Sequence, residues 1–302
     1  MTASRLIQDA LKSDFAGHFW NKIRPEKFDG PLLGKSGSLE VRLAQSAKDI
    51  KQAQKLRYQI FYENMSAVAD LKSKLKRRDM DPFDDICDHL LVIDTAAKAK
   101  NTMRGDIIKP RVIGTYRLLR QDIAERHGGF YSAQEFDLAP LFARHASLRF
   151  LELGRSCVEP AYRDKRTIEL LWHGIWAYVR AHKIDALFGC ASFAGSDPDK
   201  HAPSLSFLHH HAQAGPEWQV PALPKRAVSL DRFAHQPVDP KSVLHEMPPL
   251  IKAYMRVGAR FGKDGVIDHQ FNTFDVLVML PVADIHPKYV GYFGADGRRF
   301  AA

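Results

Sequence analysis

In "FLELGRSCV" (residues 150–158) a glutamate, with an arginine three residues on, interrupts an apolar run. Read as a strand, the run turns Leu151 and Leu153 to one side and Phe150, Glu152 and Gly154 to the other, so Glu152 sits on a covered face. A covered carboxylate needs partners, or its pKa climbs toward the range of a general base. Just beyond, "YRDKRTIELL" sets Arg163, Lys165 and Arg166 before a helix, where free N–H groups and the positive end of the dipole suit a phosphate. "RDMDPFDD" spaces Asp79, Asp81 and Asp84 as D-x-D-x-x-D, a concentration of charge able to hold a cation or an amine. The glycine and terminal glutamate of a calcium loop are missing, so no metal is expected there. His209, His210 and His211 are adjacent and point in different directions round a helix, so they do not share one metal. The absence of G-x-S-x-G, of a P-loop and of G-x-G-x-x-G argues against elbow hydrolases and nucleotide enzymes.

The elements that must position these groups follow from periodicity. "SLEVRLA" (38–44) alternates as a half-buried strand, and Ser46 caps the helix that follows. "HLLVID" (89–94) and "RVIGTYRLL" (111–119) read as strands joined by a polar hairpin connection. The strand carrying Glu152 feeds the helix "TIELLWHGIWAYVRAHK"; "ALFGCASF" (186–193) is a strand, "SLSFLHHHAQ" (204–213) a helix and "DVLVMLPV" (275–282) a late strand. The order β-α-β-β-β-α-β-α-β is a mixed α/β pattern. The segment 71–88, basic and then acidic with a proline, reads as a mobile charged loop. Residues 1–37 read as an N-terminal extension, either an amphipathic surface helix on a membrane or a helix packed on its own domain; 38–302 form one domain with a C-terminal elaboration.

The 302 residues carry a net charge of +9, a pI near 9.4, 45% hydrophobic and 26% charged residues. Such a chain is drawn to an acidic partner: nucleic acid, an anionic membrane or an acidic protein. No apolar run approaches the roughly 18 residues of a span, and no signal segment is visible, so the expected location is cytoplasmic, with peripheral contact to the inner membrane. Cys87, Cys157 and Cys190 suggest neither a disulfide framework nor zinc.

The strand order, with a phosphate-ready turn after the central strand, resembles the acyl-CoA N-acyltransferase (GNAT) fold, in its branch that draws acyl groups from acyl carrier protein. Acyl-homoserine-lactone synthases of that branch share the pattern found here as Arg57 and Phe61 in "LRYQIF", Asp79-x-Asp81-x-x-Asp84, Arg117 in "GTYRLL", and Glu152 with Arg155 in "ELGR". The first acidic position is Asp where those synthases have Glu. Over residues 38–295 the chain is more similar to the hemolysin-like ornithine N-alpha-acyltransferases that make lyso-ornithine lipid. "CDHLLVID", "ELGRSCVEPAYRDKRTIELLWHGI", "PPLIKAYMRVGA" and "VIDHQFNTFDVLVMLPV" carry that likeness in order. "RDKRTI" stands where members that use CoA have a glycine-rich pyrophosphate turn.

The resemblance implies transfer of a 3-hydroxy fatty acyl group from acyl carrier protein to the α-amine of ornithine, with the carrier's 4'-phosphopantetheine as donor arm and no bound cofactor. Glu152 is then the base, directly or through one water. Arg155 holds either the substrate carboxylate or the phosphopantetheine phosphate. Backbone N–H groups near Ser156 and Cys157 serve the oxyanion if the strand bulges or splays. Asp79, Asp81 and Asp84 either receive the substrate's cationic side chain or order the loop through Arg57 and Arg117, the second being favoured. Arg163, Lys165 and Arg166, with Lys72, Lys74, Lys76, Arg77 and Arg78, offer an acidic carrier a docking surface, and the charge needs no nucleic acid. Two other readings fit parts of the chain: an autoinducer-type or other N-acyl amino acid synthase, and a basic membrane- or RNA-binding protein without catalysis.

Overall fold

The computed structural model describes residues 32–99, 107–232 and 240–285. Strands are β1 (Leu32–Ser36), β2 (Leu39–Leu43), β3 (Asp88–Asp94), β4 (Lys98–Ala99), β5 (Ile107–Ile108), β6 (Arg111–Arg120), β7 (Phe150–Val158), β8 (Ala186–Ala194), β9 (Val228–Ser229), β10 (Arg260–Asp268) and β11 (Thr273–Pro281). Helices are α1 (Ala47–Tyr58), α2 (Leu71–Lys76), α3 (Gln121–Ala124), α4 (Ala139–Arg144), α5 (Lys165–His182), α6 (Ala202–His211), α7 (Pro240–Glu246) and α8 (Pro249–Val257). Nine strands form one sheet in the order β1-β2-β3-β6-β7-β8-β11-β10-β9, with β4 and β5 a separate hairpin. Every neighbouring pair in the sheet is antiparallel except β7 and β8.

Alternation along β3 explains the layers. Leu90 and Val92 join the core that contains Leu170, Leu171 and Ile175 of α5, whereas Leu91 and Ile93 pack with Ala53 and Leu56 of α1. The caps are local: Ser46 Oγ accepts from Asp49 N at 3.2 Å to start α1, and Asp164 Oδ1 accepts from Thr167 N at 2.8 Å to start α5.

Two sequence expectations change. The sheet takes in Leu32–Ser36, which the sequence assigns to an N-terminal extension: Gly37, with φ +58°, turns the chain back so that β1 pairs with β2. The amphipathic helix expected before it lies outside the described residues. Segment 71–88 is not a free loop but α2 followed by a 3-10 turn, Pro82–Asp85, fixed by a capping box between Asp81 and Asp84. Strand β10 and helix α8 were not expected as elements; the glycines and charges of "RFGKDGVID" hide the alternation of β10.

The parallel pair in this sheet is short. β7 and β8 are in register at Phe150↔Ala186, Leu151↔Leu187 and Glu152↔Phe188, and there the pairing ends. At that point a Cβ on Gly189 would sit 2.2 Å from Leu153 O, so only glycine lets the strands meet before they part. Gly189→Ala must push backbone from backbone and lowers stability by roughly 1–3 kcal/mol, read as a lowered thermal midpoint; an unchanged midpoint would mean that the strands separate freely here.

Candidate active site

Past Glu152 the two strands diverge while β7 keeps its hold on β6 through a bulge. Thr115 pairs with Cys157 and Arg117 with Gly154, so Tyr116 alone faces Arg155 and Ser156, and Arg155 takes a left-handed φ of 50°. Held by β6 on one side and β11 on the other, the strands leave between them a cavity of about 590 Å³. Its walls combine apolar groups, among them Ile60, Leu119, Leu153, Leu171 and Trp172, with Glu152, Arg155, Asp268 and Asp275.

Glu152 is 5% exposed. Its Oε1 accepts from Ser132 N at 2.7 Å and from Ser132 Oγ at 2.5 Å, and its Oε2 accepts from Tyr131 N at 2.9 Å. Burial pushes its pKa up, and these three donors pull it back. Since Oε1 uses both lone pairs, the basic position is the remaining lone pair of Oε2.

The aspartate loop is held by charge. Arg57 is fully buried, with Nε 2.8 Å from Asp79 Oδ2, Nη1 2.8 Å from Asp84 Oδ1, and Nη2 donating to Asp79 O at 2.7 Å and to Asp84 Oδ2 at 2.9 Å. Arg117 Nη1 donates to Asp81 Oδ1 at 2.6 Å. Arg155 reaches Asp81 Oδ2 with Nη2 at 3.0 Å and Asp79 Oδ2 with Nε at 3.3 Å. Burial alone would raise Asp84, but Arg57 and Arg117 outweigh it and hold the carboxyl below its usual value. Three guanidinium groups thus neutralise the three aspartates, which leaves no net charge there for a substrate's cation. The Arg155 guanidinium also lies between the rings of Tyr131 and Phe271, at 4.7 and 4.5 Å. Its Nη1 makes none of these contacts with the aspartates.

Phe61 lies on the π-helical continuation of α1, Gln59–Asn64, against the edge of Phe271 at 5.7 Å, and lines the cavity. Ser156, in the bulge, and Cys157, just past it, line it too. Burial pushes the Cys157 thiol up to about 12, which keeps it from acting as a thiolate nucleophile. The basic trio does not converge: Arg163 lines the cavity and donates Nε to Val158 O at 2.9 Å, Lys165 is 83% exposed beside Glu169, and Arg166 lies by Gly37. The Asp164 carboxylate caps the helix N-terminus and disfavours a phosphate there. Lys72, Lys74 and Lys76 are exposed on α2; Arg77 pairs with Glu63 at 2.5 Å, and Arg78 turns to Gln54 at 3.3 Å.

Several residues that build the site escaped the sequence reading. Tyr131 and Ser132 follow the Gly128-Gly129 pair and carry the donors that hold Glu152. Phe271 covers Arg155, and Asp268 Oδ1 holds the turn by accepting from Gln270 N at 2.7 Å and Phe271 N at 2.9 Å. Asp275 carries the signal that singled out Glu152, a charge inside an apolar strand.

The profile of the Acetyltransferase (GNAT) domain family matches residues 56–173, the part of the chain that carries β7, the arginines and the aspartates. The chain is 50% identical to the L-ornithine N(alpha)-acyltransferase of Rhizobium meliloti (strain 1021), over 90% of this chain and 89% of that protein. It is 49% identical to the protein of the same name from Agrobacterium fabrum (strain C58 / ATCC 33970), over 89% of each. Among solved structures, FeeM, an N-acyl amino acid synthase from uncultured soil microbes, aligns over 81% of this chain and 91% of its own with 12% identity and a TM-score of 0.42.

Proposed function

The chain belongs to the family of L-ornithine N(alpha)-acyltransferases, and we propose that it moves a 3-hydroxy fatty acyl group from acyl carrier protein to the α-amine of L-ornithine. The product is lyso-ornithine lipid, which makes this the first step of ornithine lipid synthesis. The observation that carries the reading is the position of Glu152, a buried carboxylate where β7 and β8 part, with one lone pair of Oε2 left by its three donors.

An amino acid's ammonium must lose a proton before it attacks a thioester. Glu152 Oε2 accepts that proton, directly or through one water. The amine nitrogen bonds to the carbonyl carbon, the tetrahedral oxyanion meets strand-edge N–H groups near Ser156 and Cys157, and the C–S bond breaks as the carrier thiol leaves with a proton. The apolar wall from Ile60 to Trp172 fits an acyl chain, and the Arg155 guanidinium, which lines the cavity, fits the substrate carboxylate or the arm's phosphate.

At the outer surface, α2 exposes Leu71 (79%) and Leu75 (86%) among Lys72, Lys74 and Lys76, a combination suited to an acidic carrier and to an anionic membrane surface. Among the described residues no helix is long and apolar enough to cross a membrane.

Mass spectrometry on purified protein, 3-hydroxyacyl carrier protein and ornithine tests the reading, with lysine and homoserine lactone in parallel. Acyl-ornithine and free carrier thiol are expected. No transfer to any amine overturns it, and an equal rate from the matching acyl-CoA overturns the donor.

A further inference from the structure

Three carboxylates meet beside the cavity. Glu135 follows the turn that carries Tyr131 and Ser132, Asp268 ends β10, and Asp275 lies on β11 opposite Ser192. One oxygen of each lies within 4.8 Å of the others. All three are more than nine-tenths buried, and Asp268 and Asp275 line the cavity. The opposing charge is incomplete: Arg226 Nη2 lies 3.0 Å from Glu135 Oε1, and among the described residues no Arg or Lys forms an ion pair with Asp268 or Asp275. Asp275 Oδ1 is buried with no hydrogen-bond partner, a costly state that a bound donor would relieve. Burial, with Asp275 beside it, lifts Glu135 to about 7, and burial lifts Asp275 as well, as expected of a cluster short of positive charge.

We propose that Glu135, Asp268 and Asp275 seat the side-chain ammonium of a diamino-acid acceptor. The inference rests on the reading above and names the part of the site that selects its substrate. The cluster lies close to Glu152, because side-chain contacts link them: Ser132 Oγ is 2.5 Å from Glu152 Oε1 and 3.5 Å from Cys190 Sγ, which is 3.6 Å from Glu135 Oε2. The two nitrogens of an extended diamino acid with three methylenes are roughly 6 Å apart. With one hydrogen bond at each end, or a water at the Glu152 end, the molecule spans the gap from the cluster to the remaining lone pair of Glu152 Oε2. Asp79, Asp81 and Asp84 do not compete for the ammonium, because three arginines already match them. Arg226 also favours a monovalent guest: its guanidinium at the rim repels a divalent ion more than an ammonium, and Asp268 Oδ1 is already committed to two backbone N–H groups.

The test compares ornithine with 2-aminopentanoic acid, the same chain without the side-chain amine, on the full-length protein. The parent should prefer ornithine strongly in kcat/KM. Asp275→Asn should lower kcat/KM for ornithine about 30-fold more than for 2-aminopentanoic acid, and Glu135→Gln should act in the same direction, covering the case in which the first variant fails to fold. Equal losses on both acceptors, or a parent that uses both equally well, overturn the assignment. Calorimetric titration of both amino acids into parent and variants, with no acyl donor, separates this from the functional reading. Ornithine binding that Asp275→Asn weakens supports the cluster even if no acyl group moves, and unchanged binding overturns it. A parallel Mn²⁺ titration in which the parent binds and Asp275→Asn does not reassigns the cluster to a metal and overturns the proposal.

Discussion

Glu152→Gln lowers acyl transfer roughly 100- to 10,000-fold, the span ascribed to a lost general base, and leaves the fold in place. The substitution keeps the shape and removes the lone pair on which the proton transfer depends. Its effects on stability oppose each other. Removing the charge relieves burial of a group whose pKa is raised in the folded state, and that cost grows as pH rises above the unfolded carboxyl value. Against this, an amide nitrogen set where Oε2 now accepts from Tyr131 N faces a donor with a donor. Circular dichroism and the thermal midpoint should therefore change little while single-turnover transfer collapses. A variant that keeps a tenth or more of the parental rate would show that Glu152 is there to hold the Tyr131–Ser132 turn and that the base is elsewhere. Ser132→Ala distinguishes the roles further, because it removes one donor to Oε1 and leaves Oε2 free to act.

The same contrast between local signal and spatial pairing governs what the sequence could disclose. Glu152 was legible because a carboxylate inside an apolar strand is costly to bury unless it has partners or a chemical task, and β2, β3, β6, β7, β8 and β11 were legible as apolar or alternating runs. Asp275 carries the same mark in "FDVLVMLPV", but its meaning depends on partners brought by the β10–β11 hairpin and by the turn after β6, which no spacing in the chain reveals. Segment 71–88 looked mobile because its charges were counted alone. Arg57, Arg117 and Arg155, which neutralise its aspartates, lie 22 to 76 residues away by number and arrive only when α1 packs on the sheet and β6 and β7 are in register. The favoured sequence reading already set Arg57 and Arg117 against these aspartates, as the structure has them, but gave Arg155 to a substrate carboxylate or a phosphate and not to Asp79 and Asp81.

Arg57→Met costs roughly 3–5 kcal/mol, the penalty for leaving buried carboxylates without their cation, and for a chain of this size lowers the thermal midpoint by roughly 5–8 °C. Four contacts between 2.7 and 2.9 Å join this one fully buried side chain to Asp79 and Asp84. Its loss sets three aspartates, two of them buried, against two arginines. Arg57→Lys rescues little, because one ammonium cannot span the two carboxylates and the Asp79 carbonyl at once. The double variant Arg57→Met with Asp84→Asn removes one stranded charge and should recover part of the loss, so the cycle of single and double variants measures the coupling. Activity should fall with stability in the single variant, since Asp79 and Asp81 are also what hold Arg155 in place. A midpoint within about 2 °C of the parent would mean that water or rearranged aspartates satisfy the site, and the network would then owe its place to the substrate it faces and not to the fold.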